Sequence, residues 1–319
     1  MPLHRLTDLT LGVPNIVETA TFYAEFGLIP QPVQDPAERW LGTVDGGARQ
    51  LRLVETPVRR PVAIGVGADD GDDLGRIHAS LERLGVASRL DGDQLKSTDP
   101  GSGLVVTISV SPRIQQKPTP PAACNTPGVV ERANVRADAV LRTERVRPRQ
   151  LGHIGLGTMD MVASKRFFVD GIGFKISDVV KDLDSGEDRD LGLFMRCSTE
   201  HHNLVLQPGP VIFLGHSSWE VDDFDEVGRG ARALLKDHPE RHLWGIGRHW
   251  VAANFFYYFR DPAGHICEYY ADMDHIDDDK LWNPDVIDVK VANSVWGPSP
   301  MPHAVMEPDD LDELVAGIR

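Results

Sequence analysis

The 319-residue chain repeats one order of secondary-structure elements four times, and this repeat limits its fold more than any other feature. Each copy, called a module below, has the apolar spacing of a strand, then of a helix, then of several strands. The modules begin near Arg5, Pro61, Leu151 and Val211. Because repeated units bury their apolar faces against one another, such a repeat sets the architecture. The pattern predicts an α+β fold with two domains of two modules each.

Modules one and three are the most alike. The segment DLTLGVPNIVETATFYAEFGL aligns with HIGLGTMDMVASKRFFVDGIGF, with the paired aromatic residues and the closing glycine in register. Modules two and four share a strand, an Asp-Asp-apolar motif and a helix. The spacing of apolar residues predicts helices over residues 17–28, 74–85, 161–174 and 224–237.

Composition and patterning divide the chain into four parts. The segment between the halves is rich in proline and arginine with weak periodicity, which predicts a linker. The last segment carries two tryptophans and a V-I-x-V-x-V alternation, so we expect it to dock on the second domain. The predicted parts are residues 1–111 (N-terminal module pair), 112–149 (linker), 150–273 (C-terminal module pair) and 274–319 (tail or lid).

Composition also argues against several classes of protein. A formal net charge of −15 disfavours a nucleic-acid surface, which needs clustered lysine and arginine. No apolar run approaches the length of a membrane span, and the N-terminus lacks the pattern of a secretory signal. Cys124, Cys197 and Cys267 are too scattered for a disulfide framework or a thiolate zinc site. We therefore expect a cytoplasmic protein with neither nucleic acid nor membrane as a partner.

Two histidines and one glutamate of the second half lie on apolar, strand-like segments: His153 in LGHIGLG, His216 in FLGHSSWEV and Glu268 in ICEYYA. A lone histidine on such a strand is more often a packed core residue than a ligand. A carboxylate between apolar residues, however, is costly to bury unless it is paired or coordinated. Together the three match a 2-His-1-carboxylate triad, which binds a divalent metal on one face and leaves the other face open. They predict an Fe(II) or Mn(II) site.

The first half is an internal control for this prediction. Where the triad residues align, it carries Asp8, approximately Val66, and Thr107. If the fold itself required the triad, the first half would need equivalents. It has none, so we expect residues 1–111 to be a metal-free structural copy.

Adjacent residues on a strand point to opposite faces, which limits the remaining candidates. Of His201 and His202 only one can face the metal, and we favour His202; the alternative is that both are exposed loop residues. Tyr257 and Tyr258 pose the same choice, which the pattern leaves open. His265 lies in a tight DPAGH turn, where we expect it to be solvated.

The run GRHWVAANFFYYFRDPAGHICE resembles the signature of the type I extradiol ring-cleaving catechol dioxygenases, within the vicinal oxygen chelate superfamily. The tail motifs KLWNPD and VWGPSPMP resemble the homoprotocatechuate 2,3-dioxygenase branch. The resemblance implies paired βαβββ modules of the glyoxalase-like fold, a metal-free N-terminal domain and a catalytic C-terminal domain. The sequence departs from the family at Tyr257, usually aliphatic or Phe, and at HHNLVL, where His-Asp is more common.

The resemblance also implies a reaction and a role for each matching residue. The reaction is cleavage of a catechol-type diol next to its hydroxyls with both atoms of O2, as in aromatic hydrocarbon catabolism. The matching residues are the metal ligands His153, His216 and Glu268 for Fe(II) or Mn(II), the acid–base residue His202, and His249 and Tyr258, which contact the substrate oxygens. Arg248 and Phe194 are candidates to contact the rest of the substrate.

Other readings of the same fold stay open. The chain could be a glyoxalase-like isomerase or a 4-hydroxyphenylpyruvate dioxygenase-like enzyme, although the set of His202, His249 and Tyr258 argues against both. It could also be a non-catalytic binding protein, as bleomycin-resistance proteins are, but an intact triad argues against that. Family resemblance alone suggests a homotetramer. The ring substituent of the substrate is not readable from the sequence.

Overall fold

The strands of the computed structural model, which describes residues 2–318, form two mixed sheets, one from each half of the chain. The first half contains β1 (Leu3–Val13), α1 (Ile16–Phe26), β2 (Ile29–Gln31), β3 (Glu38–Thr43), β4 (Gly47–Glu55), β5 (Arg60–Ala68), α2 (Gly71–Arg83), β6 (Ser88–Asp91), β7 (Gln94–Thr98) and β8 (Val105–Val110). A short helix, α3 (Asp138–Leu141), follows. The second half contains β9 (Leu151–Thr158), α4 (Met161–Lys165), β10 (Lys175–Lys181), β11 (Asp190–Arg196), β12 (Leu204–Pro208), β13 (Phe213–Glu220), α5 (Phe224–Leu235), β14 (His242–Arg248), β15 (Phe255–Arg260), β16 (Ile266–Ala271), β17 (Asp285–Asp288), α6 (Val289–Ala292) and α7 (Leu311–Ile318).

Each sheet consists of two βαβββ units that meet at their first strands. The strand order is β2-β3-β4-β1-β5-β8-β7-β6 in the first sheet and β14-β15-β16-β13-β9-β12-β11-β10-β17 in the second. The first strands of the two units pair antiparallel, β1 with β5 and β9 with β13. This arrangement confirms the predicted α+β fold of four strand-helix-strand modules.

The helices begin where the sequence pattern places an aspartate. Asp70, Asp160 and Asp223 accept hydrogen bonds from backbone amides three residues ahead, which caps α2, α4 and α5. Such caps satisfy amides that have no partner within the helix. In module four the Asp-Asp-apolar motif contains the capping Asp223, whereas in module two it lies in the first turn of α2, after the cap.

The helix of module three differs from the single helix predicted over residues 161–174. It is α-helical only in α4 and continues as a π-helix over Arg166–Ile172, ending at Gly173 with a positive φ of 102°. Phe167 and Phe168 are adjacent and both buried. The wider turn thus coincides with two neighbouring aromatic side chains that both enter the core.

The tail is docked on the second sheet. Its strand β17 pairs in parallel with β10, and the indole of Trp282 donates to the Ser177 carbonyl at 2.9 Å. The V-I-x-V-x-V alternation forms a strand only in part. The Asp288 side chain accepts from the Lys290 amide and caps α6, so the chain turns from strand to helix there.

His265 is buried against the first half, so the prediction that it is solvated was wrong. Its Nε2 donates to the Gly12 carbonyl at 3.1 Å, and the Asn15 side chain donates to the Pro262 carbonyl at 2.9 Å. The turn packs between the two halves of the chain, and burial lowers the pKa of His265 to about 3. It is therefore a neutral packing residue.

A second contact between the halves centres on Asp99. This buried side chain accepts hydrogen bonds from the hydroxyls of Ser102 at 2.5 Å and Ser164 at 2.6 Å. Ser164 lies on α4, so one carboxylate joins a loop of the first half to a helix of the second. Within residues 2–318, no helix has the length and apolarity that crossing a bilayer would need.

Replacing Asp99 should weaken the joined structure. Asp99→Ala leaves buried hydroxyl and amide donors without an acceptor, which costs about 1–3 kcal/mol of unfolding free energy. Asp91, an exposed carboxylate paired with Arg89, is the control, and Asp91→Ala should change that free energy by less than about 0.5 kcal/mol. Urea unfolding of both variants measures the difference; equal stabilities would contradict the role given to Asp99.

Candidate metal centre

Four side chains come together because they share one register row across four strands of the second sheet. Tyr258 on β15 pairs with Glu268 on β16, Glu268 pairs with Ser218 on β13, and Ser218 pairs with His153 on β9. Paired residues on neighbouring strands project from the same face. His216 lies two residues before Ser218 and therefore shares that face. The row lies near the middle of the sheet, where the two modules meet.

The structure brings His153, His216 and Glu268 into one cluster. Their three closest ligand atoms all lie within 4.8 Å of one another. Glu268 Oε2 lies 3.3 Å from His153 Nε2 and 3.7 Å from His216 Nε2. Within residues 2–318, no other trio of His, Cys, Asp or Glu ligand atoms is this compact.

Glu268 is fully buried, and its surroundings favour the ionised carboxylate. Burial alone opposes ionisation, but hydrogen bonding from the His153 imidazole outweighs it and holds the pKa of Glu268 below its usual range. The Ser218 hydroxyl also donates to Oε2, and the Asn254 amide lies 3.4 Å from Oε1. All ion-pair partners of this carboxylate in the described chain are histidines.

The imidazoles around Glu268 are held neutral by burial. Burial lowers the pKa of His153 and lowers that of His216 to about 3. His216 Nε2 is buried and has no hydrogen-bond partner among the described residues. Neutral imidazole and carboxylate are the forms that bind a divalent metal. An uncompensated buried carboxylate facing an orphaned imidazole nitrogen therefore fits a cation at this position.

The equivalent row of the first half lacks these ligands. Asp8 pairs with Gly65, and Gly65 pairs with Thr107. These three residues occupy the positions that His153, Ser218 and Glu268 occupy in the second sheet. The register therefore agrees with the sequence alignment of Asp8 with His153 and of Thr107 with Glu268. The alignment of Val66 with His216 was wrong: by register, Ala63 holds that position, since it lies two residues before Gly65. The sequence alignment matches Gly65 with Gly215, whereas the register places Gly65 opposite Asp8 as Ser218 lies opposite His153, an offset of three residues.

His202, and not its neighbour, lines the cavity beside the triad, and its ring centroid lies 4.2 Å from that of His153. Both histidines are buried, which excludes the alternative of two exposed loop residues. His201 Nε2 donates to Asp178 Oδ2 at 3.0 Å, and the two Nδ1 atoms lie 3.1 Å apart. With the Nε2–H of His201 donating to Asp178, the Nδ1 of His201 is the atom that accepts from His202 Nδ1–H. The nitrogen of His202 left available to the cavity is Nε2.

His249 and Tyr258 form the other side of the site. His249 Nδ1 donates to the backbone carbonyl of Asn293 in the tail, which leaves Nε2 as the acceptor for the Tyr258 hydroxyl at 3.1 Å. Burial raises the pKa of Tyr258, so its hydroxyl stays protonated. Tyr257 points away, and its hydroxyl lies 2.9 Å from His242 Nδ1. Of the two tyrosines, Tyr258 faces the site.

Of the two residues predicted to contact the rest of the substrate, only one lines the cavity. Phe194 lines the cavity, with its ring centroid 5.0 Å from that of His202. Arg248 does not line it. Its guanidinium pairs with Asp272 at 2.7 Å and lies over the Phe255 ring. The prediction that Arg248 contacts the substrate was therefore wrong. Adjacent residues of a strand point in opposite directions, and here the side chain of His249 points into the cavity.

Sequence reasoning missed several supporting residues. Ser218 could have been inferred, because it follows His216 at the period of a strand and so shares its face. Asp178 and Asn293 leave no such signal. Asp178 lies on β10 and Asn293 contributes only its backbone carbonyl, so both depend on how distant segments pack.

Comparisons with known proteins agree with this geometry. Metapyrocatechase 2 of Cupriavidus necator is 28% identical over 302 residues, covering 93% of this chain and 89% of that protein. The Mn(II)-bound glyoxalase of Novosphingobium aromaticivorans superposes with a TM-score of 0.72 at 25% identity, covering 95% of both chains. A variant of homoprotocatechuate 2,3-dioxygenase from B. fuscum superposes with a TM-score of 0.74 at 18% identity, covering 95% of this chain and 81% of that one.

The comparisons confirm the fold class and support the family that the motifs resemble. Residues 150–269 match the model of the Glyoxalase/Bleomycin resistance protein/Dioxygenase superfamily. This match covers the part of the chain that contains the triad, from before His153 to Glu268.

Proposed function

We propose that this chain is an extradiol dioxygenase, which opens the aromatic ring of a catechol-type diol with O2. One observation carries the proposal: His202, His249 and Tyr258 line the same cavity as the histidines of the triad. A metal-binding protein without catalysis has no need of an acid–base imidazole and a hydroxyl–imidazole pair beside the metal ligands. The similarity to metapyrocatechase 2 along most of the chain supports the same conclusion.

The metal ligands in this proposal are His153, His216 and Glu268. The 2-His-1-carboxylate set with an open face is typical of non-haem Fe(II) oxygenases, and Mn(II) accepts the same donors. When bound, the metal supplies positive charge that favours loss of a catechol hydroxyl proton and a path for electrons from the diol to O2. Ser218 and Asn254, which contact the Glu268 carboxylate, would orient it toward the metal.

His249 and Tyr258 would hold the two oxygens of the diol. The Tyr258 hydroxyl is a donor, and the Asn293 carbonyl fixes the tautomer of His249 so that its Nε2 is available to accept a proton or hydrogen bond. Bound between them, the diol presents one protonated and one ionised oxygen. This asymmetry directs attack to one ring carbon.

His202 would act as the general acid for cleavage of the O–O bond. Its Nδ1–H is engaged by His201, which in turn is fixed by Asp178, so its Nε2 would first take up a proton released by the diol and then deliver it to the leaving oxygen. A positioned imidazole suits proton transfer near neutral pH. The carbon–carbon bond beside the diol breaks, the O–O bond breaks, and both oxygen atoms enter a ring-opened semialdehyde acid. No external reductant is consumed, because the ring supplies the electrons.

A glyoxalase-like isomerase is the second candidate, favoured by the similarity to the Mn(II)-bound glyoxalase over the full length of both chains. Such an enzyme moves a proton between adjacent carbons and uses no O2. Oxygen consumption therefore separates the two candidates. The tetramer and the cytoplasmic location suggested by the sequence are kept as proposals, to be measured by light scattering and by cell fractionation.

Loss of the triad carboxylate should abolish ring cleavage. Anaerobic reconstitution with Fe(II), followed by air and catechol, should give a yellow ring-opened product with one O2 consumed per diol. Glu268→Ala should bind no metal and form no product, because it removes the only anionic ligand. Thr107→Ala changes the equivalent position of the first sheet and should retain activity. A metal-loaded wild type that consumes no O2 with any diol, but isomerises a hemithioacetal, would shift the function to the isomerase.

Replacing the proposed general acid should separate metal binding from turnover. His202→Phe keeps a ring of similar shape and removes the proton donor, so bound metal should stay at the wild-type level. Turnover should fall by roughly 10²–10⁴-fold, the usual contribution of a positioned acid–base group. Metal analysis and steady-state O2 uptake measure both quantities. Near-normal turnover would remove His202 from the mechanism.

The contacts behind His202 should affect turnover more than binding. Asp178→Asn keeps an acceptor for the Asp285 amide but weakens the fixed tautomer of His201. We expect kcat to fall by about 10–100-fold, as is common for residues that orient an active-site group, with KM for catechol little changed. Asp188→Asn, an exposed aspartate paired with Lys181, is the control. An unchanged kcat in Asp178→Asn would contradict the proposed chain of contacts.

A further inference from the structure

The cavity beside the triad has walls that carry no charge beyond its histidines. Among the described residues that line it, none is lysine, arginine, aspartate or glutamate. Most of the others are aliphatic or aromatic: Val180, Leu191, Phe194, Val205, Val251, Val289, Ala292, Val305 and Met306. Five of these, Val180, Phe194, Val251, Val289 and Ala292, belong to a single apolar cluster, so the apolar wall is continuous.

We infer that the substrate is a catechol whose ring substituent is uncharged and apolar. The inference rests on the proposed function and names the substrate class of that same site. It excludes catechols that carry a carboxylate on the ring or side chain, which would need a cation or several donors in the wall.

The polar side chains of the wall outside the proposed catalytic set do not offer such a site. Gln207 donates its amide to the Met306 carbonyl at 3.0 Å, so one of its donors is already engaged by the tail. The backbone carbonyl of Asn293 accepts a hydrogen bond from His249 Nδ1. The neutral side-chain amides of Gln207 and Asn293 are a weak substitute for the bidentate arginine that usually holds a carboxylate in proteins.

The basic residues near the cavity in sequence are turned outward and paired. Arg248 pairs with Asp272, and Lys290, next to Val289 on α6, pairs with Asp184. Lys181, next to Val180 on β10, pairs with Asp188. Their neighbours Val180 and Val289 line the cavity, whereas the charged groups do not.

The energetics follow from desolvation. A carboxylate that leaves water for an apolar wall without a partner loses several kcal/mol even after relaxation, whereas a methyl group gains. The net charge of −15 adds a long-range field that disfavours an anionic substrate on approach. Desolvation and the long-range field therefore both favour an uncharged substituent over a carboxylate.

The tail supplies the specificity-determining part of the wall. Val289, Ala292, Val305 and Met306 all lie after residue 288, and they line the cavity together with Leu191, Val205 and Val251, which precede the tail. Because the tail also fixes His249 through the Asn293 carbonyl, the same segment orients a catalytic group and bounds the ring substituent.

The test compares uncharged and carboxylated catechols on the Fe(II)-reconstituted enzyme. We expect kcat/KM for 4-methylcatechol to be about 10-fold above that for catechol, the usual effect of one methyl in an apolar pocket. For 3,4-dihydroxybenzoate and 3,4-dihydroxyphenylacetate we expect kcat/KM at least about 100-fold below that for 4-methylcatechol. Carboxylated catechols cleaved as well as 4-methylcatechol would overturn the inference and leave the dioxygenase proposal intact.

Equilibrium binding separates this inference from the proposed function. Binding of the same diols to the anaerobic metal-loaded enzyme, by calorimetry, should show the same order of affinity. If no diol is turned over, the proposed function fails, whereas the order of binding still decides the chemistry of the wall. Equal or tighter binding of the carboxylated diols overturns the inference.

A matched pair of variants on α6 tests the location of the substituent. Val289→Lys places a cation on the cavity wall and should raise relative kcat/KM for 3,4-dihydroxyphenylacetate at least about 10-fold, since it pairs a buried carboxylate. Val291→Lys places the same cation on the same helix at a half-exposed position outside the wall and should leave the preference unchanged. Identical preferences in the two variants would contradict the assignment of Val289 to the substituent wall.

Discussion

The burial of one carboxylate among neutral imidazoles is the constraint on which the second half of this protein depends. Glu268 is fully buried at the middle of the second sheet. In the described chain its ion-pair partners are histidines, and burial favours the neutral form of His153 and His216. A buried anion in such a setting is costly unless a cation joins it. The hydroxyl of Ser218 and the amide of Asn254 orient the carboxylate but cannot neutralise it. A metal bound by the triad would thus contribute to the stability of the second half as well as to its chemistry.

The fold makes this site possible by bringing two modules together at their first strands. The row that contains Tyr258, Glu268, Ser218 and His153 runs across that junction, so ligands distant in sequence become neighbours. The first half has the same junction with Asp8, Gly65 and Thr107 in the row. One architecture therefore appears twice, once with ligands and once without.

The sequence predicts the modules, the triad and the neighbouring catalytic candidates, because these depend on local periodicity and on single residues that are unusual in apolar strands. It predicts less well wherever the answer depends on packing between distant segments. The DPAGH turn reads as a solvated loop, yet His265 contacts Gly12 across the domain interface. Arg248 reads as a pocket residue, yet strand alternation and Asp272 direct it outward. Val66 aligns with His216 in sequence, yet the register places Ala63 there, because strand pairing and not local similarity decides which residues share a row.

Whether the triad binds the metal is tested by a crystal structure of the anaerobically Fe(II)-reconstituted protein, with anomalous data collected at the iron edge. We predict one anomalous iron peak per chain, within bonding distance of His153, His216 and Glu268, and no peak in the first half. A peak at another position, or a clear cavity with no peak in protein that contains iron, would contradict it.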